Sequence, residues 1–327
     1  MASTETLVRL LADGRFHSGE WIGERLGVSR AAVWKSIKAL EALGLRVDAV
    51  KGRGYRLARP LELLDAERIR AGIAPSVCAR IKSLDVHFTI DSTNRYLAGA
   101  ARNEIGEAHV CLAETQTAGR GRRGRSWCSP FGSNVYLSVA WRFAEGPARL
   151  GGLSIALAVA SAQALKRLGV PGIQLKWPND LWLDGRKVAG LLLEVSGELQ
   201  GPSLVIAGIG VNMGMPEDAE IDQPWADLHS VSPGLSRNEV AGALVEAMIG
   251  ALERFAGAGF EPFRREWEPL DAVHGKVVLL QLPNASVKGV AAGIDGTGAL
   301  MLVTGAGLQR FASGEVSLRV GDHVAAS

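Results

Sequence analysis

The sequence predicts an α+β multidomain protein: a winged helix-turn-helix in residues 1–60, a mixed sheet with helices in 61–272, and a small β-barrel in 273–327. Near the amino terminus, serine-capped helices precede two short strands. In the middle section, strands with an apolar alternation are separated by apolar helical stretches. The tail consists of short strands broken by Pro-Asn and Gly-rich turns, which is typical of small barrels.

The first sixty residues have the spacing of a helix-turn-helix. One helix is predicted over residues 4–12, a second after the capping residue Ser18, and a third after the capping residue Ser29. Apolar residues of the third helix recur at i, i+4 and i+7 from Val33 to Leu40, so this face is expected to pack on the core. The polar face of the third helix is then left for recognition.

The wing follows directly. Strands predicted at residues 45–50 and 54–57 flank a basic turn, and residues 1–59 hold 11 Lys and Arg against 6 Asp and Glu, which indicates a nucleic-acid partner. The alternative is a three-helix domain that binds protein.

Trp34 is expected either to contact thymine methyl groups or to pack against the next domain. The predicted DNA-binding residues are Ser29, Arg30, Ala31, Lys35, Lys38, Lys51 and Arg53.

Composition favours an ordinary globular protein, with 47% hydrophobic and 21% charged residues in a chain of 327. Cys78, Cys111 and Cys128 lack metal-ligand spacing, so no metal ligands are predicted, and their odd number fits a reducing cytoplasm. The most apolar run, residues 153–165, is shorter than the roughly 20 residues that span a bilayer. No membrane segment is therefore predicted.

Residues 119–127 form a loop with four arginines between glycines. Glycines let backbone N–H groups converge, and guanidinium groups pair with phosphate or carboxylate oxygens, so the loop predicts a polyanionic substrate. Its G-x-G-x-x-G match is weak, because the following residues 126–130 cannot begin a helix. The alternative is a solvated basic loop that touches nucleic acid.

Polar residues follow several predicted strands of the middle section. Residues 91–94, Asp-Ser-Thr-Asn, follow a strand predicted at 86–90 and either cap the next helix or bind a ligand. Lys176 is either a strand-edge residue or a site cation, and Lys187 is either a surface strand end or a cation directed into a pocket.

Several further elements are predicted. Residues 61–71 are expected to form a connecting helix, residues 134–141 a strand with one buried face, and residues 184–185 a hairpin turn. Residues 214–228 are expected to form a mobile loop in which Trp225 is the one large apolar anchor. The remaining predicted elements are strands at 109–113, 204–211, 277–282, 287–294 and 299–303 and helices at 153–167 and after a capping box at 236–239.

Taken in order, these motifs resemble those of the bifunctional biotin-protein ligases that also repress biotin biosynthesis, the BirA type. The resemblance covers nearly the whole chain and implies a central class II synthetase-like biotin ligase fold and an SH3-like tail. The motifs that carry it are the winged helix with residues 29–32, residues 91–94, the loop 119–127, Lys-Trp-Pro-Asn-Asp at 176–180, Arg-Lys-Val-Ala-Gly at 186–190 and Gly-Val-Asn at 210–212.

The resemblance implies roles for individual residues. Lys187, Arg120 and Lys176 are implied to be catalytic, with Lys187 meeting the carboxylate of biotin. The implied biotin-binding residues are Ser92, Thr93, Asn94, Gln116, Arg120, Gly121, Arg122 and Lys187. The implied ATP- and adenylate-binding residues are Arg120, Arg122, Trp127, Lys176, Asn179, Asp180 and Asn212.

The implied activity is that of a biotin–[acetyl-CoA-carboxylase] ligase that uses ATP with Mg²⁺ and forms biotinyl-5′-AMP. It then acylates a lysine of the biotin carboxyl carrier protein. Operator DNA is the implied second partner, and a cytoplasmic homodimer is expected when biotinyl-AMP is bound. Two rivals stay open at this point: a lipoate ligase, which shares the chemistry, and a non-enzymatic transcription factor that senses a small ligand.

Overall fold

A computed structural model describes residues 2–100, 104–198, 200–216, 218–282, 285–312 and 317–320. The amino-terminal region folds as the predicted winged helix-turn-helix. Its elements are helices α1 (Ala2–Leu11), α2 (Gly19–Leu26) and α3 (Arg30–Glu41) and the antiparallel strands β1 (Val47–Val50) and β2 (Gly54–Leu57).

Local sequence signals explain the turn of the helix-turn-helix. The Ser18 and Ser29 hydroxyls accept hydrogen bonds from Trp21 N and Ala32 N, which fixes the starts of α2 and α3. Gly27 ends α2 in the left-handed region, with φ 65°. Val33, Ile37 and Leu40 are buried as predicted, together with Leu7, Leu11 and Ile22.

The central region contains a seven-stranded mixed sheet, as predicted. Its strand order is β3-β4-β5-β9-β8-β7-β6; the β3–β4 pair is parallel and the other pairs are antiparallel. The strands are β3 (Ile81–His87), β4 (Ala108–Ala113), β5 (Val135–Phe143), β6 (Ile173–Lys176), β7 (Asp180–Leu183), β8 (Arg186–Gly197) and β9 (Ser203–Val211). The helices are α4 (Ala66–Ala71), α5 (Pro75–Cys78), α6 (Thr93–Ala100), α7 (Leu153–Arg167), α8 (Arg237–Ala258) and α9 (Glu261–Trp267).

Both faces of this sheet are covered, and the prediction that β5 has one buried face was wrong. One face packs on α7 and α8 in the main core, which includes Val135 and Val139. On the other face, α6 covers Ser138 and Ala140, both fully buried. Alternation along a strand indicates that its two faces differ, but it does not show what covers the second face. Here the covering helix, α6, lies about forty residues earlier in the chain.

Two predicted element boundaries were also wrong. The connecting helix begins at Ala66 rather than at 61, because the Asp65 side chain accepts from Glu67 N and Arg68 N and caps α4 there. The first strand of the sheet is β3, Ile81–His87, rather than 86–90. Beyond the end of β3, Ile90 forms only an isolated bridge with Gln116.

The carboxyl-terminal region forms a five-stranded antiparallel sheet of order β13-β12-β11-β10-β14. Trp177 joins it to the central region, because its indole N–H donates to Gly298 O at 2.9 Å. Residues 321–327 of the predicted tail domain lie outside the described residues. The strands are β10 (Val277–Gln281), β11 (Ser286–Ile294), β12 (Leu300–Thr304), β13 (Gly307–Phe311) and β14 (Ser317–Val320).

Among the helices that the structure describes, none has the length and apolar character needed to cross a bilayer.

Candidate active site and DNA-binding surface

A cavity of about 600 Å³ opens beside the central sheet. It is bounded by the start of α6, the arginine loop of residues 119–127, the ends of β8 and β9, and part of the segment 214–228. Every residue predicted for biotin or adenylate lines this one cavity: Ser92, Thr93, Asn94, Gln116, Arg120, Gly121, Arg122, Trp127, Lys176, Asn179, Asp180, Lys187 and Asn212. The structure therefore brings together side chains from six separate stretches of sequence.

The arginine loop is a tight turn. Arg120 and Ser126 form an antiparallel bridge, and Gly121 N donates to Arg125 O at 2.7 Å. The tip reverses through Arg123, whose φ is 57°, and Gly124, whose φ is 72°. A left-handed non-glycine residue is unusual, and here it lies in the loop that lines the cavity.

The indole of Trp127 fits where glycines leave room. A Cβ added to Gly210 would lie 2.4 Å from Trp127 Cε2, and a Cβ added to Gly190 would lie 2.9 Å from Lys187 Cε. Any side chain at either position would displace Trp127 or Lys187. Both glycines belong to the sequence motifs noted above, but their space-making role required the structure.

Lys187 lies against an acid and an aromatic ring. Its Nζ is 2.8 Å from Asp180 Oδ1 and 5.4 Å from the centroid of the Trp127 ring, and the Lys187 and Asp180 side chains are each 18% exposed. The second predicted lysine, Lys176, has its Nζ 4.5 Å from the centroid of the Trp182 ring. Both lysines line the cavity, which favours the site interpretation over a surface strand end.

Arg122 is a buried cation with unused hydrogen-bonding capacity. Burial lowers the pKa of its guanidinium, and the Asp180 carboxylate opposes that shift. Its Nη1 donates to Asn179 Oδ1 at 3.3 Å, whereas its buried Nη2 has no hydrogen-bond partner among the described residues. Trp127 Nε1 is likewise buried and has no hydrogen-bond partner among the described residues. Buried donors of this kind suit an anionic or carbonyl-bearing ligand.

The polar end of the cavity lies at the start of α6. Gln116 Oε1 accepts from Thr93 N at 2.9 Å, which fixes the amide of Gln116. The hydroxyl of Ser138 on β5 and the carboxylate of Glu194 on β8 complete this group through Thr93 and Asn94. Sequence reasoning missed Ser138 and Glu194, although a serine among the apolar residues of a strand was a usable signal.

The segment 214–228 is attached at more places than predicted. Lys187 N donates to Pro224 O and Ala226 N donates to Lys187 O, so the segment pairs with the start of β8. Asn212 Nδ2 also donates to Ala226 O at 3.1 Å. The prediction that Trp225 is its one large apolar anchor was wrong, because Met215 and Leu228 are buried as well.

A buried ion pair outside the cavity lining was also missed. Arg237 and Glu114 lie 2.8 Å apart with side chains 3% and 4% exposed. Arg237 also donates to Glu62 O and Asn134 O, and Glu114 accepts from Leu64 N. The sequence pattern indicates only a capping box at 236–239, in which Ser236 does accept from Glu239 N. This cluster holds residues 61–65 extended against α8.

The predicted DNA-binding surface is accessible. Arg30, Ala31, Lys35, Lys38, Lys51 and Arg53 are exposed, while Ser29 caps α3. Trp34 is 57% exposed, with Lys38 Nζ 5.4 Å from its ring centroid. This exposure disfavours the alternative in which Trp34 packs against the next domain. The guanidinium of Arg53 stacks over Phe16 at 4.2 Å, which orients the wing tip.

Known families match the chain in three places. The model of the biotin/lipoate A/B protein ligase family matches residues 86–212, an HTH domain matches residues 4–56, and the biotin protein ligase C-terminal domain matches residues 273–319. The bifunctional ligase/repressor BirA of Salmonella typhimurium is 42% identical, with coverage of 96% of this chain and 97% of that protein. The chain belongs to the bifunctional biotin ligase and repressor family.

Two further comparisons support this family membership. The Bacillus subtilis BirA is 30% identical over 94% of this chain and 95% of that protein. A solved structure, the biotin protein ligase from Aquifex aeolicus in complex with biotin and ATP, is 28% identical. The superposition covers 73% of this chain and 100% of the Aquifex aeolicus chain, with a TM-score of 0.63. The predicted family and the predicted ligase and repressor functions are therefore confirmed, and both rivals are set aside.

Proposed function

We propose that the cavity of this biotin ligase performs both half-reactions. A carboxylate oxygen of biotin attacks the α-phosphorus of ATP, the bond to the β-phosphate oxygen breaks, and pyrophosphate leaves. A lysine amine of the biotin carboxyl carrier protein then attacks the acyl carbon, loses a proton and displaces AMP. Because an anion must approach a polyanion, the protein has chiefly to neutralise charge and hold the reactants in line. Mg²⁺ is proposed to arrive bound to the triphosphate and to neutralise part of its charge.

One observation carries this assignment: the cationic, amide and hydroxyl side chains converge on a single cavity. We assign the polar end, with Ser92, Thr93, Asn94 and Gln116, to the ring of biotin. Lys187 is assigned to the carboxylate of biotin. That carboxylate would compete with Asp180 for the ammonium group of Lys187. The adenylate and phosphates are assigned to the rest of the lining: Arg120, Gly121, Arg122, Trp127, Lys176, Asn179, Asp180 and Asn212.

Pyrophosphate exchange into ATP tests the adenylation step. We expect exchange that depends on biotin and does not occur with lipoate at the same concentration. The full reaction is then measured by acylation of a purified carrier protein. Exchange with lipoate in place of biotin would contradict the assignment of the polar end, and no exchange with either acid would contradict the assignment of the cavity.

The amino-terminal domain is proposed to bind operator DNA through α3 and the wing. Support comes from the exposure of its basic side chains and the net charge of +5 in residues 1–59. Because such contacts are mainly to phosphates, affinity should fall steeply with salt. Replacing Lys51 at the wing tip by Ala should reduce that salt dependence, whereas Lys288→Ala on the exposed face of β11 should not.

A homodimer is proposed for the state with bound biotinyl-AMP. In the described residues, β7 pairs with β8 as far as Gly190, and Leu191 N donates to Asn179 O. The outer edge of residues 192–197 is left without a partner strand among the described residues. Val195 on that edge is 45% exposed. An exposed strand edge is a surface that a second copy can extend, and two linked winged helices fit a two-fold operator.

We propose domain boundaries at residues 1–60, 61–272 and 273–327, with the last domain closing as an SH3-like barrel. The amino-terminal apolar cluster supports the first boundary, because nine of its ten buried residues precede residue 60 and the tenth is Phe131. A cytoplasmic location is proposed because the carrier protein and the operator are both reached there. Analytical size exclusion of fragments cut at these boundaries tests the division.

A further inference from the structure

Trp34 is an exposed aromatic side chain on α3, the helix proposed above to bind operator DNA. Of the tryptophans, tyrosines and phenylalanines that the structure describes, only Trp34 is exposed, at 57%, and the others are buried or half-buried. Tryptophan combines a large apolar surface with one polar N–H group and is enriched where proteins contact their partners. Because the packing of the domain makes little use of this indole, its role is expected to lie in binding.

The position of Trp34 on α3 directs its side chain away from the core. The buried face of the helix consists of Val33, Ile37 and Leu40. Arg30, Trp34 and Lys38 are spaced by four residues, so they form one row along the exposed side of the helix. In a helix-turn-helix domain, the amino-terminal residues of the recognition helix contact the base edges. As the fifth residue of α3, Trp34 lies in that part of the helix.

Basic side chains surround the indole. Arg30 and Lys38 lie on either side of Trp34 in the row, and Lys35 is the next residue along the helix. All three cations are exposed, and none of them forms an ion pair with a carboxylate among the described residues. Lys38 Nζ lies 5.4 Å from the centroid of the Trp34 ring. Charge complementarity therefore favours DNA, whose phosphates these cations can bind, as the partner of this face.

The indole itself requires a different contact from that of its basic neighbours. It is mostly apolar, and its single polar group is a hydrogen-bond donor. On the base edges of the major groove, the apolar group is the C5 methyl of thymine, while the other groups are hydrogen-bond donors and acceptors. Ala31, three residues before Trp34, is exposed and small, so it leaves room for a base edge beside the indole. A thymine methyl group is therefore the part of the groove that Trp34 fits.

We propose that Trp34 is a specificity-determining residue of the operator interface, because its indole packs against the C5 methyl group of one thymine in each half-site. This inference rests on the proposed binding of operator DNA through α3 and the wing. The flanking cations bind phosphates and hold the helix in the groove, which carries no sequence information directly. Trp34 adds the reading of one base pair.

The test is a thermodynamic cycle between the Trp34 side chain and a DNA methyl group. A duplex is selected from a random pool by the wild-type protein with biotin and ATP, and each thymine in turn is replaced by deoxyuridine, which lacks only the methyl group. Fluorescence anisotropy gives each Kd. At one thymine of each half-site, we expect the wild-type Kd to rise about fourfold, the equivalent of about 0.8 kcal/mol for one buried methyl group. For Trp34→Ala, the same replacement should change the Kd by less than about 1.5-fold.

Two control variants separate base reading from phosphate binding and from folding. Leu308→Ala removes a comparable apolar side chain, 61% exposed on β13, and should leave the Kd of every duplex unchanged. Lys38→Ala should reduce the salt dependence of binding, because a phosphate contact is lost, whereas Trp34→Ala should keep the wild-type salt dependence. Thermal unfolding of Trp34→Ala should match that of the wild-type protein, because the side chain is exposed.

The inference would be overturned if the wild-type protein bound every deoxyuridine duplex as tightly as the selected duplex, or if Trp34→Ala showed the same deoxyuridine penalty as the wild type. A Trp34→Ala protein with wild-type operator affinity would also overturn it, and would indicate a protein partner for the indole. Failure of the proposed DNA binding has a different result, because the wild-type protein would then select no duplex, and the inference would be overturned with it.

Discussion

Lys187 Nζ and Asp180 Oδ1 form a 2.8 Å ion pair within the lining of the cavity, at the place proposed above for the biotin carboxylate. The pair is created by the β7–β8 hairpin, whose register shifts between Leu181 and Trp182. Asp180 is the counter-ion of Lys187 in this structure. Under the proposed assignment of Lys187 to the biotin carboxylate, binding would exchange one carboxylate for another at the same ammonium group instead of bringing an isolated buried charge to it.

Lys187→Ala is expected to lower biotin-dependent pyrophosphate exchange by about 100-fold, or about 3 kcal/mol of transition-state stabilisation. The variant removes a fixed cation and leaves Asp180 facing the carboxylate of biotin. Rates are compared at saturating ATP, with circular dichroism to verify folding. Lys288→Ala, exposed on β11, is the matched control and should retain the full rate. A folded Lys187→Ala protein with near wild-type exchange would refute the role of Lys187.

Gly210→Ala is expected to raise the KM for biotin at least tenfold, because the new Cβ would lie 2.4 Å from Trp127 Cε2 and force the indole to move. Steady-state exchange gives the KM. Gly250→Ala in α8 is the control, since its Cβ would meet no heavy atom within 4 Å. An unchanged KM in Gly210→Ala would mean that the position of Trp127 does not matter to the site.

Arg237→Met is expected to destabilise the protein by about 3–5 kcal/mol, because Glu114 would stay buried without its cation. Adding Glu114→Gln should recover part of that loss, since the uncompensated charge disappears. Urea unfolding followed by tryptophan fluorescence measures both variants. A loss below about 1 kcal/mol for Arg237→Met would show that the pair is replaceable.

A truncated protein that begins at Leu61 is expected to keep biotin-dependent exchange within about tenfold, because the proposed catalytic residues all lie beyond Asp91. Its solubility should fall, because the truncation exposes Phe131 and Phe88, which pack against the amino-terminal core. The ring centroids of these two residues are 4.7 Å apart. Phe131→Ser in the truncated protein should restore solubility. A well-folded truncated protein that binds biotin without exchange would contradict the division between domains.

Biotinyl-adenylate is expected to shift the protein toward a dimer and to tighten operator binding in parallel. Gly119→Ser should weaken both effects. Its Cβ would lie 3.0 Å from Ser129 Oγ and 3.1 Å from Gln116 Nε2, so crowding at the start of the arginine loop is the structural cause. Sedimentation with and without the adenylate measures the dimer fraction. A monomer fraction that does not respond to the adenylate would break the proposed link between catalysis and repression.

Local signals in the sequence were enough for the type of most elements, and they pointed to several of the residues that line the cavity. The capping serines, Ser18 and Ser29, and the hairpin turn at 184–185 act over a few residues, and each appears in the structure where it was predicted. The same holds for Lys187 and residues 91–94, which lie at strand or helix ends and belong to recognisable motifs. Their convergence on one cavity could be expected only through the family resemblance.

The tertiary structure alone decided which distant side chains complete the site. Glu194 bonds to Asn94 across 100 positions of sequence, and Arg237 reaches Glu114 across 123. Such contacts depend on the order and register of the strands and on which helix covers each face of the sheet. Propensity and periodicity carry information over a turn or a strand, so they determined the type of each element but not the partners across the sheet.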